Sequence, residues 1–521
     1  MQLLRSTGVF SVTLALVLLI TSPAVADPAT AAGKDGRETR KARSTLAPPT
    51  RAKPVKPRVR KSGKSSKPTA AERLREDLKR VLRGRNLLRG TTAVLAVEAD
   101  TGKVLFAANE GKKLNPASNV KLFSTAAVLD ILGDDYVYRT KLIGPPQSEL
   151  GVVSGGVYML GSGDPTFLSE EIEELVAHTV ARGVTKIDGD VSISEDRFRD
   201  NLAVPRIRID AVGARRPGRK PSVTYEPQSD FVELIVKART SRSRRARLVT
   251  TSKLVEKDGK KKWVVTVKGS VRARTKRSIR VGAPLRSTFT ANVLRSALID
   301  AGIEVTGSIR LEEFDTFSER VKASGTLPFE LAEHKSAPMS ELVRLVNKYS
   351  INHLADRLVM TAAAQEGDGR LDMGAAVETM NSFMERVGID PDKTRLDTGS
   401  GLSYKTKLTA EQIVAVLRAG AGFVPGSRGN PDSFVDSLAV GGVDGTLRRR
   451  LKRSPAKGKV IGKTGTLTSC LALSGFVMTD EGKPIAFAIV TNGNRRRDRR
   501  LVRSEHEELI EAIHRYAKRV H

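Results

Sequence analysis

An α+β fold is predicted by three observations on this chain. Helical and strand-like periodicities alternate along its length, short strands and basic turns fill residues 141–325, and three strand-like runs near the end lead into a closing amphipathic helix. At 521 residues the chain is long enough for more than one hydrophobic core. The predicted division is a signal peptide over 1–26, a disordered basic Pro-rich tether over 27–70, a main domain in two parts over 71–140 and 326–521, and inserted β-rich domains over 141–325.

The first stretch has Arg5, an apolar run over 9–20 and Ala24-Val25-Ala26 before Asp27, which is the layout of an export signal. The apolar run is short for a membrane span. Residues 27–70 carry 13 Lys and Arg against Asp27, Asp35 and Glu38, a net of +10, and almost no large apolar side chain. Such a segment cannot bury enough surface to fold. Its plain role is a solvated spacer; its sharper role is adhesion to anionic envelope polymers.

An amphipathic helix is expected over 71–82, then a hairpin of strands 92–98 and 103–107 around Asp100-Thr101-Gly102. Next comes Asn115-Pro116-Ala117-Ser118-Asn119-Val120-Lys121, with Asn115 as cap, Pro116 in the first turn and apolar residues at three- and four-residue steps up to Gly133. On that helix Ser118 and Lys121 share a face, so a desolvated lysine could take the serine's proton. Ser-x-x-Lys arises by chance about once in a few hundred residues. Ser454-Pro455-Ala456-Lys457 repeats it, but Pro455 and Gly458 indicate a turn.

Within the inserted stretch, residues 160–166 form a glycine-rich turn whose spacing is not that of a dinucleotide fingerprint. Helical periodicity returns over 339–363 and contains Ser350-Ile351-Asn352, two polar residues that face a site only if the helix is interrupted or ends there. Strands are expected over 460–467, 473–478 and 485–491, and the closing helix over 504–520. Residues 458–464 nearly spell a phosphate-binding loop but are one residue short and precede a strand, so ATP is not an expected ligand.

The single cysteine, Cys470, excludes an internal disulfide, and the six histidines form no ligand-spaced cluster. Neither a metal nor another cofactor is expected, and a serine nucleophile would need lysine as its base. The formal charge of +31 raises the question of nucleic acid, but 4% aromatic residues and an export signal argue against it.

Ser118-x-x-Lys121, Ser350-x-Asn352 and Lys463-Thr464-Gly465 occur in the order of the penicillin-binding-protein motif set. With Gly163-Asp164-Pro165-Thr166, Gly399-Ser400-Gly401-Leu402-Ser403 and Gly442-Val443-Asp444-Gly445-Thr446-Leu447, the chain after residue 70 resembles the class C low-molecular-mass penicillin-binding proteins, D-alanyl-D-alanine carboxypeptidase/endopeptidases. The resemblance implies a serine β-lactamase/transpeptidase-like catalytic domain, an antiparallel sheet flanked by helices. The 232 residues between Ser118 and Ser350 fit the family's inserted domains and not a β-lactamase.

It further implies acylation of Ser118 by peptidoglycan stem peptides or by β-lactam inhibitors, with Lys121 as base and Ser350 as proton relay. Asn352 would hold the substrate amide, and Lys463 with Thr464 the terminal carboxylate, Lys463 also keeping Lys121 deprotonated. Backbone N–H groups of Ser118 and Thr466 would form the oxyanion hole, and Asp164 would touch the stem peptide. Ile351 and Thr398 stand where the family commonly has Asp, and the arginine-rich stretch 205–220 replaces one that often contains tryptophan. The expected location is the periplasm or cell envelope. A second reading is a non-catalytic cationic wall-binding protein with a residual penicillin-binding site.

Overall fold

A computed structural model describes residues 67–194, 206–257, 259–367, 369 and 371–520. The expected signal peptide and nearly all of the basic tether lie outside the described residues. Six strands build the principal sheet in the order Ala439–Val440, Val460–Thr466, Cys470–Val477, Ile485–Asn492, Thr91–Glu98 and Val104–Ala108, with all neighbours antiparallel. The strands in its middle are buried on both faces, so they are mostly apolar instead of alternating. Leu473, Ile489 and Val94 face one core, under helices Ala70–Leu82 and Arg499–Val520; Ala472, Ala488 and Leu95 face another, under the helix Val120–Leu132 and five further helices. This is a helix–sheet–helix sandwich. Val120–Leu132, termed the serine helix below, is buried from Val120 to Asp130 because helices cover it on its far side as well.

Between the two parts of that sandwich the chain builds a second core that includes Leu142, Trp263, Phe289 and Leu331. It leaves by strand Arg139–Gly144 and returns by strand Phe329–Lys335, which pair antiparallel with Arg139 opposite Lys335. The body is thus wider than 141–325. It contains four small sheets, but also helices Ser169–Ala181, Arg286–Asp300 and Phe314–Ala323. Each carries the helical apolar spacing in its buried residues, Ile172, Leu175 and Val176 in the first, Ala291, Leu294 and Leu298 in the second, Phe317 and Val321 in the third.

Two further expectations are corrected. The serine helix opens with a 3-10 turn, Ala117–Asn119, and Ala117 has φ +50°; Asn115 caps the Ala117 N–H at 2.8 Å instead of an α-helical turn. The single periodic stretch over 339–363 is two helices, Met339–Tyr349 and Asn352–Glu366, separated by Ser350 at φ +60°.

Candidate active site

The start of the serine helix is held from three sides. Asn119 Nδ2 donates to Ser474 Oγ at 2.6 Å, on the strand paired with Val460–Thr466. The Asn115 N–H donates to Asn492 Oδ1 at 2.8 Å, and Asn492 Nδ2 returns a bond to Asn115 O at 2.9 Å. The glycine run 399–403 wraps the third side: Ser124 Oγ donates to Gly399 O at 2.9 Å and Asn115 Nδ2 to Ser403 O at 3.0 Å. Gly401 has φ +74°, and a Cβ there would stand 2.1 Å from Ala117 O, so the run can lie this close only as glycine. Ser118 is left half-buried while its neighbours Ala117 and Asn119 are enclosed.

Lys121 is completely buried. Its Nζ lies 2.5 Å from Ser400 O, 2.7 Å from Asn352 Oδ1 and 3.2 Å from Ser118 Oγ. Desolvation pulls its pKa down to about 7, against the opposing charge of Asp356. A neutral amine has two N–H groups and one lone pair. With the N–H groups donated to the two carbonyl oxygens, the lone pair faces the Ser118 hydroxyl and accepts from it. The neutral form therefore has the bond that proton abstraction requires.

Asp356 was not singled out from the sequence. It lies four residues after Asn352 on the same helix, so the two share a face, and that spacing was the available signal. Its Oδ1 accepts from Ser400 N at 2.7 Å, which fixes the carbonyl that holds Lys121. Burial raises its pKa, opposed by its bonds to Ser400 and by Lys121.

Lys463 is also completely buried. Burial holds its pKa well below the ordinary lysine value, with a further lowering from the charge of Lys121. This revises the expected electrostatics. Desolvation, not the charge of Lys463, is the leading cause of the low Lys121 pKa. Lys463 Nζ donates to Thr464 O at 3.2 Å. Two places further on, Gly465 passes the serine turn so closely that a Cβ would sit 2.4 Å from Pro116 O.

The register of this strand sets which backbone groups are open. Gly441 N donates to Val460 O on one side and Met478 N to Lys459 O on the other. Alternation then turns the N–H and C=O of Thr464 and Thr466 away from Cys470–Val477, toward the side where the two-residue strand Ala439–Val440 reaches only to Gly462. Thr466 is exposed, and its Oγ1 accepts from Arg503 at 3.3 Å.

Direct bonds thus join Ser118, Lys121 and Asn352, and Lys463 is within the field of Lys121. Ser350 is half-buried at the break between the two helices. The preceding helix is anchored by Lys348, whose Nζ bonds Leu438 O at 3.0 Å and Asp444 Oδ2 at 2.7 Å, while Gly445 packs against Lys348 O. The Gly442–Leu447 motif therefore has a structural task, positioning the Ser350 break. Asp164 lies in the inserted body, away from the bonds that join Ser118, Lys121 and Asn352. It is 3% exposed, its Oδ1 is taken up by the N–H and hydroxyl of Thr166, and burial raises its pKa. The Oδ1 bonds brace its own loop, and Oδ2 has no hydrogen-bond partner among the described residues. The second Ser-x-x-Lys, at 454–457, lies in turns.

The sequence of residues 74–513 matches the D-Ala-D-Ala carboxypeptidase 3 (S13) family. The chain belongs to that family. S13 membership makes it a serine-type hydrolase of D-Ala-D-Ala peptides. Among similar proteins, the D-alanyl-D-alanine carboxypeptidase of Actinomadura sp. strain R39 is 28% identical over 462 residues, covering 81% of each chain. The carboxypeptidase DacB of Mycolicibacterium smegmatis is 26% identical over 401 residues, 76% of this chain and 75% of its own. The crystal structure of penicillin-binding protein 4 (DacB) from Haemophilus influenzae superposes with a TM-score of 0.64 at 21% identity, over 84% of this chain and 99% of that one. The S13 enzyme accordingly has the α+β, transpeptidase-like fold with an inserted β-rich region.

Proposed function

We propose that this enzyme trims peptidoglycan stem peptides through an acyl-enzyme on Ser118. The observation that carries the reading is a buried Lys121, its pKa drawn down to about 7, whose Nζ stands within hydrogen-bond reach of Ser400 O, Asn352 Oδ1 and the Ser118 hydroxyl. Ser118 Oγ attacks the carbonyl of a D-Ala-D-X bond as Lys121 takes its proton. Ser350 passes a proton to the departing amine. Asn352 holds the peptide amide. The open N–H of Thr466 and that of Ser118 stabilise the oxyanion, the kind of donor whose loss costs about a hundredfold or more. A terminal carboxylate beside Lys463 and Thr464 favours the charged form of Lys463, which burial disfavours. Water then hydrolyses the ester. β-Lactams enter as mimics of the acyl donor and acylate the same serine.

The test is labelling with a fluorescent penicillin, expected on the native protein and absent from Ser118→Ala. Labelling of neither would favour the second reading, a wall-binding protein without turnover, which family membership and the Lys121 geometry argue against. Comparing hydrolysis of a cross-linked with an uncross-linked muropeptide separates endopeptidase from carboxypeptidase preference. Export to the periplasm or envelope rests on residues 1–26 and is tested by the size of the mature protein. Among the described residues no helix is long and apolar enough to cross a membrane.

A further inference from the structure

Within the inserted body the positive charge is gathered in one segment. Residues 206–282 hold 23 Lys and Arg against 6 Asp and Glu, a net of +17 of the total +31. Within them, loops 213–220, 239–247 and 272–277 contain 13 Lys and Arg and no Asp or Glu. Backbone bonds lace these three loops together: Gly218 N to Thr240 O at 2.8 Å, Ala273 N to Ser241 O at 2.9 Å, and Arg274 N to Gly213 O at 3.1 Å. Arg215, Arg216, Arg242, Arg244 and Arg245 are all exposed on them. Lys276 reaches Asp210 at 2.9 Å, but within 206–282 six carboxylates face 23 cations. Gathering so many like charges on fixed loops costs stability through self-repulsion unless an anion shares the surface.

We infer that this laced patch docks a linear phosphodiester polymer of the cell wall. The density of charge calls for a ligand with an anion in every repeat, more than one stem peptide carries. The predominance of arginine suits paired N–H contacts to phosphate oxygens. The three loops contain no aromatic residue, so the patch offers no stacking platform for single-stranded nucleic acid and no wedge for a bilayer. Only the choice of a wall polymer rests on the function proposed above; the patch itself does not.

The test uses the full chain and purified poly(glycerol phosphate) as probe, with phosphatidylglycerol vesicles, duplex DNA and neutral dextran as comparators. The native protein is expected to bind the polymer with an affinity that falls steeply with salt. The variant with Arg215, Arg216, Arg242, Arg244 and Arg245 all changed to Gln should bind at least ~10-fold more weakly at low salt, with a shallower salt slope. Its penicillin acylation should match the native protein, which shows that it folds and separates this outcome from failure of the catalytic reading. Deleting residues 27–66 should leave most of the binding in place. Native-like binding by the five-site variant, loss of binding on deleting 27–66 alone, or equal affinity for vesicles, DNA or dextran would each overturn the assignment.

Discussion

Lys121 is a residue asked to be two things, enclosed and basic, and burial achieves the second by means of the first. Because its pKa is drawn down to about 7, the neutral base becomes available as pH rises through that value. The acylation rate by penicillin should therefore climb from pH 5 to 8 along a limb centred near about 7. Asp356 favours the protonated form, so Asp356→Asn, which keeps an oxygen for Ser400 N, should move the limb to lower pH and give roughly severalfold higher acylation at pH 6 relative to its own plateau. A limb that stays or moves upward would show that Asp356 is not in the field of the base. Lys121→Arg keeps the length and charge but cannot surrender its proton, and a fall of roughly 10³-fold in acylation is expected.

At the scale of elements, two glycines decide how close the strand and the wrapping run come to the serine turn. Gly401→Ala and Gly465→Ala would each press a methyl group against a carbonyl oxygen, of Ala117 and Pro116 respectively. Each should cost about 1–3 kcal/mol of stability. Each should also slow acylation by about a hundredfold through misplacement of Ser118. Thermal melting and stopped-flow acylation measure the two losses separately.

Much of this arrangement was legible in the sequence. The serine helix announces itself by apolar steps and a glycine stop, and the last three strands by runs of Val, Ile, Leu and Phe between turns. The 3-10 turn at Ala117 was not legible, because a positive φ at alanine is imposed by the run 399–403 and the Val460–Thr466 strand packing against it. Nor was the break at Ser350, since the periodicity of 339–363 passes through it unchanged and the anchor, Lys348 to Asp444, spans 96 residues.

At the scale of the whole molecule, two bodies with separate cores share one chain, and their stabilities can be read apart. Trp263 is the only tryptophan, fully buried in the inserted core with its ring edge-on to Phe289 at 5.8 Å. Its fluorescence reports that body alone. Phe289→Ala should destabilise it by about 3–5 kcal/mol. In urea, the shift in tryptophan emission should then occur well before penicillin labelling is lost; coincident transitions would mean that the bodies unfold as one unit.

The paired strands at 139–144 and 329–335 have a consequence for the history and use of this architecture. Opposed residues in such a ladder stand only about 5 Å apart. The peptide enters and leaves the side module through what is in effect a single doorway. Everything beyond Arg139 and Lys335 could be exchanged for a tight turn, or for another domain with adjacent ends, without rerouting the polypeptide that carries the nucleophile.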